Sequence, residues 1–151
     1  LNFNLEIIIV KILVIGLGSI GQRHLQNLKK IYSKANFFAL RFSNKNLIIK
    51  NAQVVKKYNI AKYYNIKILR SYKDAKKIKP NLVFICNPSC FHLRDAKFFS
   101  KLGSHIFIEK PLSGDNIQIS KLKNIISKVR LEIRYKKKIK ELRKRDPFIY
   151  K

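Results

Sequence analysis

Three glycines with the spacing Gly16-x-Gly18-x-x-Gly21 directly follow a continuous apolar run, and this junction strongly constrains how the chain can fold. The run from Ile7 to Ile15 is rich in β-branched residues, which is typical of a strand buried on both faces. From Ile20 to Ile31, apolar residues recur at helical spacing with basic residues between them. The sequence therefore predicts a buried strand, a tight glycine turn and a helix.

Strand and helix patterns continue to alternate along the rest of the chain. Further strands are predicted at Phe37–Phe42, Ile66–Leu69, Leu82–Cys86, Ile106–Ile108 and Val129–Tyr135. Further helices are predicted at Leu47–Tyr58, Leu93–Leu102 and Ile117–Ser127, with a short one capped by Ser71 and stopped by Pro80. This order predicts an α/β fold with a doubly wound parallel sheet of about six strands. Ligands of such sheets bind at the edge formed by the carboxyl ends of the strands.

The glycine spacing also has a chemical meaning between a strand and a helix. Gly16 would allow the tight turn, Gly18 would let the backbone approach a diphosphate, and Gly21 would let the helix pack on the strand. The free N–H groups at the helix start would then bind the diphosphate. The motif predicts a dinucleotide site, and a glycine turn without a nucleotide is the alternative.

The end of the second predicted strand bears on the choice of dinucleotide. Folds that prefer NAD place an acidic residue there, which binds the ribose 2′-hydroxyl. This chain has Ala39-Leu40-Arg41-Phe42-Ser43, with no acid. Arg41 and Ser43 would accommodate a 2′-phosphate, so NADP is favoured within a general NAD(P) prediction. The alternative is that Arg41 is one more surface cation.

Polar clusters follow two later strands. Asn87-Pro88-Ser89 and His92 follow one strand, and Glu109-Lys110-Pro111 follow the next. Both clusters are expected at one crevice, because the carboxyl ends of parallel strands share an edge. Lys110 could transfer a proton there while a hydride moves to or from a nicotinamide.

The charge of the chain is extreme, with 34 Lys and Arg against eight Asp and Glu, a net +26 over 151 residues. Such an excess suggests a polyanionic partner such as nucleic acid. However, 26 Lys, 23 Ile and 13 Asn are what an AT-rich genome encodes by default, and only eight cations are Arg. Residues 1–127 still carry +18, so the excess is spread along the chain. We interpret it as compositional drift and regard a nucleic-acid partner as the less favoured hypothesis.

Other partners and locations are constrained by what the sequence contains. Cys86 and Cys90 lack the further ligands of a zinc site, so no metal is predicted and both are expected to be reduced thiols. The longest apolar run is well short of the ~20 residues of a membrane span and lacks signal-peptide features. The sequence therefore predicts a cytoplasmic protein without a membrane partner.

Three segments resemble the Gfo/Idh/MocA oxidoreductases, over roughly residues 10–135. They are VKILVIGLGSIGQRHL (10–25), NLVFICNPSCFH (81–92) and IFIEKPLS (106–113). The resemblance implies a Rossmann domain and hydride transfer between a nicotinamide and a secondary alcohol of a sugar or cyclitol. It implies that the dinucleotide is held by Gly16, Gly18, Ser19, Ile20 and Gly21, that Asn87, Pro88 and His92 line the nicotinamide side, and that Glu109 contacts the cofactor. Lys110 would be the catalytic lysine of the EKP motif, whereas His24 is interpreted as a packing residue.

Members of this family also have a second domain that supplies most of the substrate pocket, and the sequence ends before it. We therefore expect an N-terminal extension (1–9), a dinucleotide-binding domain (10–135) and a basic tail (136–151), with the C-terminal substrate domain absent. A solvated helix is favoured for the tail over a nucleic-acid arm. A small sugar-like substrate would bind only if the missing domain were supplied. The alternatives to a dehydrogenase domain are an inactive remnant of a truncated or frameshifted gene and a basic nucleic-acid-binding module.

Overall fold

The computed structural model describes residues 9–50 and 53–112, together with Ser120, Lys121 and Asn124. Strands and helices alternate over this part of the chain. Their bounds are β1 Lys11–Ile15, α1 Ser19–Ile31, β2 Asn36–Leu40, β3 Leu47–Lys50, β4 Gln53–Lys57, α2 Ile60–Tyr64, β5 Lys67–Leu69, α3 Tyr72–Ile78, β6 Leu82–Ile85, α4 His92–Ser100 and β7 His105–Ile108. A short 3₁₀ turn, Ser89–Phe91, leads into α4.

Five strands form one sheet in the order β5-β2-β1-β6-β7, and every neighbouring pair is parallel. From the central strand β1 the chain moves outward to β2 and β5, and then crosses back to β6 on the other side of β1. The direction of winding therefore reverses between β1 and β6, and this reversal opens a crevice at the carboxyl ends of the strands. The predicted α/β, doubly wound parallel Rossmann fold is confirmed.

The central strand is buried on both faces. Ile12 packs in a cluster with Leu25 of α1, whereas Leu13, the next residue along, packs in a second cluster with Phe99 of α4. All four side chains are fully buried. A helix layer on each face explains why β1 has a continuous apolar run instead of an alternating pattern.

The helix predicted at Leu47–Tyr58 is wrong, because this segment is an antiparallel hairpin of β3 and β4 that pairs Leu47 with Lys57. The apolar pairs Leu47-Ile48 and Val54-Val55 lie seven positions apart, a spacing compatible with a helical period. Ile48, Ile49, Val54 and Val55 are all β-branched, however, and β-branched side chains favour extended backbone. Ile48 is 1% exposed, so burial against the rest of the fold also favours the hairpin.

Four strands have shorter bounds than the sequence predicts, and β5 and β6 each differ by one residue, Ile66 and Cys86. β1 begins at Lys11, after Ile9 and Val10, and β2 ends at Leu40, which leaves Arg41 and Phe42 in the following loop. In the helix predicted at 117–127, Ser120, Lys121 and Asn124 are helical. The rest of that helix lies outside the described residues, as do the strand 129–135, the tail 136–151 and residues 1–8 of the predicted extension. Within the described part, no helix has the length and apolar character needed to cross a bilayer.

Candidate functional site

A cleft of about 470 Å³ lies at the carboxyl ends of β1, β2 and β6, where the winding of the sheet reverses. Its walls come from the glycine turn, the β2–β3 loop (residues 41–46), strand β3 and the β6–α4 loop. Six of the residues predicted for cofactor binding line it: Gly16, Gly18, Arg41, Ser43, Asn87 and Pro88. The topology therefore brings residues from three distant parts of the sequence to one site.

The three motif glycines have different geometries. Gly16 has a φ of +84°, and a Cβ on it would lie 2.9 Å from the Asn87 N and Cα atoms. A Cβ on Gly21 would lie 2.0 Å from the Gly16 carbonyl oxygen. At Gly18, by contrast, no atom lies within 4 Å of a Cβ position. Gly16 and Gly21 are therefore required by close backbone packing, whereas Gly18 borders open space in the cleft.

The N-terminus of α1 opens beside that space. Gly18 is its N-cap, no side chain caps the helix, and its first turn contains no acidic residue. The first helical hydrogen bond is donated by the Gln22 N–H to the Gly18 carbonyl oxygen, at 2.9 Å. An uncapped helix start presents N–H groups and a partial positive charge. The turn from Ser19 to Gly21 and the space above Gly18 therefore fit the diphosphate of a dinucleotide.

The β2–β3 loop forms a cationic wall of the cleft. Arg41 is 9% exposed and donates a hydrogen bond to the Lys45 carbonyl oxygen, while Ser43 Oγ accepts the Lys45 N–H at 3.2 Å. Arg70 donates to the Arg41 and Ser43 carbonyl oxygens at 3.3 and 3.1 Å. Burial, and then the charge of Arg70, lower the pKa of Arg41. Arg41 is thus largely buried at the wall of the cleft.

The side-chain amide of Asn87 is held by a buried carboxylate. Asn87 Nδ2 donates to Asp95 Oδ2 at 2.6 Å, and Asp95 is fully buried. The Tyr72 hydroxyl and Arg94 Nε both donate to Asp95 Oδ1. Burial, and then the hydrogen bond to Asp95, raise the pKa of Tyr72. Asp95 thus orients the Asn87 amide and leaves Asn87 Oδ1 as a buried acceptor with no partner in the described part of the chain.

His92 lies behind the cleft wall and does not line it. The side chain is 1% exposed, and its Nε2 lies 2.8 Å from the Asn87 carbonyl oxygen. Because a carbonyl oxygen only accepts, Nε2 is the protonated nitrogen of this pair. His92 therefore holds the backbone of Asn87, and Asp95 holds the side-chain amide of the same residue.

Glu109 and Lys110 follow β7, one strand beyond β6, and neither lines the cleft. Glu109 Oε1 lies 2.5 Å from His24 Nε2, and Oε2 accepts the Lys110 N–H at 2.9 Å. The hydrogen bond with His24, and then the one with the Lys110 N–H, lower the pKa of Glu109. The His24 ring also contacts Phe84 and Phe107, at centroid distances of 5.5 and 5.2 Å. His24 packs as predicted and in addition joins α1 to Glu109.

Both cysteines are free thiols. Burial, and then the charge of Glu109, raise the pKa of Cys86 to about 12, whereas Cys90 is exposed. Over residues 9–50 and 53–112 and the three described residues beyond them, no group of three His, Cys, Asp or Glu side chains could hold a metal ion.

Sequence comparison assigns the chain to a family. A family model described as an oxidoreductase family with an NAD-binding Rossmann fold matches residues 10–134. The chain belongs to the Gfo/Idh/MocA family. A search of the curated proteins gives no match.

Solved dehydrogenases of the Gfo/Idh/MocA type have a similar fold. They include UDP-N-acetylglucosamine 3-dehydrogenase GnnA from Acidithiobacillus ferrooxidans (23% identity, TM-score 0.59, covering 82% of this chain and 36% of that one). WlbA from Chromobacterium violaceum, in complex with NADH and UDP-GlcNAcA, has 17% identity and a TM-score of 0.64, with 81% and 33% covered. Myo-inositol 2-dehydrogenase from Lactobacillus plantarum has 21% identity and a TM-score of 0.63, with 80% and 33% covered. This chain thus spans about a third of the length of these structures.

Sequence analysis missed several residues at the site of this Gfo/Idh/MocA chain. Leu47 and Ile49 line the cleft from strand β3, which the sequence predicts as a helix. Arg94 also lines it, with its guanidinium 4.7 Å from the ring centroid of Phe91. The sequence does not mark Asp95 as a site residue, because an acid in the first turn of a helix is common on electrostatic grounds alone. The sequence carries no signal that Asp95 is buried beside Asn87, because that burial depends on the tertiary fold.

Proposed function

We propose that this chain is the NAD(P)-binding part of a Gfo/Idh/MocA oxidoreductase, and that the dinucleotide lies in the cleft. The observation that carries the proposal is Gly18, which borders open space beside the uncapped start of α1. An anion held there gains from the helix dipole and from free N–H groups, and a side chain would occupy the same space. Family membership supports the same class of cofactor.

Each predicted site residue has a role in this proposal. The diphosphate contacts the glycine turn, which comprises Gly16, Gly18, Ser19, Ile20 and Gly21. Asn87 and Pro88 border the nicotinamide side, and His92 holds the Asn87 backbone in place. We assign the dinucleotide-binding unit to residues 10–135, between an extension at 1–9 and a basic tail at 136–151.

NADP is the cofactor that we propose. The β2–β3 loop offers Arg41, Ser43 and Lys45 to the cleft and has no acid that would bind a ribose 2′-hydroxyl. A guanidinium and an ammonium complement a 2′-phosphate, which carries negative charge. The pairing of Arg41 with the Lys45 carbonyl leaves further N–H donors of its guanidinium for such a group.

The proposed chemistry is oxidation or reduction of a secondary alcohol carbon on a sugar or cyclitol. The bound nicotinamide would supply or accept the hydride. Lys110 would transfer the hydroxyl proton as the general acid or base, and Glu109 would fix the backbone of the segment by accepting the Lys110 N–H. The similar folds of a UDP-N-acetylglucosamine 3-dehydrogenase and a myo-inositol 2-dehydrogenase support this substrate class.

Titration of the full chain with NADPH and NADH, followed by nicotinamide fluorescence, tests the proposal. We expect saturable binding of both and tighter binding of NADPH. Gly18→Asp should lower both affinities by about tenfold or more, because a carboxylate would occupy the diphosphate space and repel it. Asn27→Asp adds the same charge to an exposed position of the same helix, and we expect it to leave both affinities within about twofold.

Three results would each contradict a part of the proposal. Absence of saturable binding by either dinucleotide to the folded wild-type chain would exclude dinucleotide binding. Equal losses in Gly18→Asp and Asn27→Asp would show that the effect is one of net charge and that the diphosphate does not lie at Gly18. Tighter binding of NADH than NADPH would exclude the NADP preference and leave dinucleotide binding intact.

A further inference from the structure

Gln22 has a buried side-chain amide in which every hydrogen-bonding position is used. It lies in the first turns of α1 and is 1% exposed. Its Nε2 donates to the Leu17 and Leu47 carbonyl oxygens, at 3.0 and 2.9 Å. Its Oε1 accepts the Ile49 N–H at 3.0 Å and the Tyr64 hydroxyl at 2.9 Å. A primary amide has two N–H donors and two lone pairs, so Gln22 is saturated.

Three of these four bonds join Gln22 to backbone that lines the cleft. Leu17 lies inside the glycine turn, and Leu47 and Ile49 lie on β3. All three residues line the cleft. In the described part of the chain, β3 pairs only with β4 and is not part of the five-stranded sheet. The position of the hairpin therefore depends on side-chain contacts, among which Gln22 supplies bonds to its backbone.

The β2–β3 loop ends where Gln22 holds the hairpin. Lys45 is two residues before Leu47, and its backbone bonds to Arg41 and Ser43 within the loop. The other end of the loop continues from β2, in the main sheet. A displacement of Leu47 would therefore move the loop that contains Arg41, Ser43 and Lys45 relative to the glycine turn.

We infer that Gln22 is a positioning residue for cofactor choice. By fixing β3 against the glycine turn, it places the cationic β2–β3 loop at the distance from the diphosphate site that a ribose 2′-phosphate requires. The inference rests on the proposed binding of NADP in the cleft. It assigns discrimination between NADPH and NADH to a side chain that would contact neither.

The test compares Gln22→Met with Gln26→Met in the full chain. Gln26 is one turn further along α1, is half-buried, and donates to the Tyr64 hydroxyl at 3.0 Å. Within residues 9–50 and 53–112 it makes no hydrogen bond to β3 or to the glycine turn. Gln22→Met should lower the affinity for NADPH by about tenfold and the affinity for NADH by about threefold or less, because only NADPH uses the displaced cations. Gln26→Met should leave the ratio of the two affinities within about twofold of the wild type.

Hydrogen exchange of the Ile49 amide provides a second measurement, whose first part uses the wild-type chain alone. That N–H donates to Gln22, so it should exchange slowly in the wild-type chain. In Gln22→Met it should exchange much faster, while amides of the β1–β2 ladder stay protected. If Gln22→Met does not fold, fast exchange of Ile49 in the wild type would still overturn the inference, and slow exchange would support it.

The outcomes separate this inference from the proposed function. Wild-type chain that binds neither dinucleotide overturns both. Wild-type chain that binds NADH at least as tightly as NADPH overturns the role of Gln22 and the NADP preference, and leaves the proposed dinucleotide binding intact. Wild-type chain that prefers NADPH, with the same preference retained in folded Gln22→Met, overturns only the role of Gln22. A preference that falls in Gln22→Met and not in Gln26→Met supports it.

Discussion

The contact between His24 and Glu109 joins the helix that follows the glycine turn to the segment that contains Lys110. Both side chains are about a quarter exposed, so water partly screens their interaction. The hydrogen bond from His24, and then the N–H of Lys110, favour the ionised carboxylate and lower the pKa of Glu109 below its ordinary value of 4.5. A carboxylate whose pKa falls on folding stabilises the native state in its ionised form.

We therefore expect the contribution of Glu109 to stability to be fully present above a pH of about 4.5 and to be lost as the pH falls through the lower folded value. Urea unfolding of the wild type and Glu109→Gln over a series of pH values measures it. The difference in the free energy of unfolding should shrink on acidification through this window.

His24→Phe is the matched variant, because it retains a ring for the contacts with Phe84 and Phe107 and removes the hydrogen bond. In that background, the effect of Glu109→Gln should depend less on pH. An unchanged pH profile in the His24→Phe background would show that His24 does not set the ionisation of Glu109.

At the scale of residues, the sequence predicts roles that follow from local backbone rules. The glycine turn was predictable because Gly16 and Gly21 are required by close approach, and such a requirement leaves a fixed spacing. The bond from Asn87 to Asp95 and the four bonds of Gln22 were not. They depend on which side chains the tertiary fold brings within 3 Å, and no spacing rule encodes that.

The described helices differ in whether a side chain caps their N-terminus. In α3 the predicted cap is confirmed, since Ser71 Oγ accepts the Asp74 N–H at 3.1 Å and donates to Asp74 Oδ2 at 2.7 Å. In α2, Asn59 caps the N–H groups of Ala61 and Lys62. The longer helices α1 and α4 have no side-chain cap. The two short helices are thus stabilised by their own side chains, whereas the start of α1 is left open.

Ser71→Ala should lower the free energy of unfolding by about 1 kcal/mol, because the variant leaves the Asp74 N–H without its side-chain acceptor. Denaturant unfolding measures the loss. The control is Ser33→Ala in an exposed turn, which should stay within about 0.5 kcal/mol of the wild type. Equal effects of the two substitutions would argue against a capping role for Ser71.

At the scale of elements, the buried strands were predictable and the hairpin was not. β1 and β6 lie between helices and have apolar runs that end at Gly16 and at the Asn87 turn. In the hairpin, the apolar pairs Leu47-Ile48 and Val54-Val55 lie seven positions apart, and this spacing suits either a helix face or two short strands. Its conformation is decided by β-branched residues and by docking on Gln22, and docking is a tertiary contact.

The charge of the whole molecule leaves most of its cations without an acidic partner. Eight acids cannot neutralise 34 bases, and in the described part of the chain the ion pairs are those of His24 with Glu109 and Arg94 with Asp95. Like charges repel in a compact state, and this self-repulsion destabilises the fold. Net charge could be read directly from the sequence, but the identity of any polyanionic partner could not.

Raising sodium chloride from about 0.1 M to about 1 M should therefore raise the Tm, because the Debye length falls from about 10 Å to about 3 Å and screens the repulsion. Each kcal/mol gained corresponds to a Tm increase of about 2–4 °C for a chain of this size. Differential scanning calorimetry measures the shift, and potassium chloride at equal ionic strength should match it. A Tm that stays constant or falls would contradict a dominant role for self-repulsion.

The strand order also determines when the chain can complete its sheet during synthesis. The central strand β1 can pair with β2 soon after both are made. Its other neighbour is β6, where Ile12 pairs with Leu82 and the Lys11 N–H donates to the Asn81 side chain, 70 residues further along the chain. At ribosomal rates of about 5–20 residues per second, that interval lasts about 4–14 s. Throughout it, one edge of a strand with the sequence KILVI has no partner, so nascent chains are exposed to mispairing with one another.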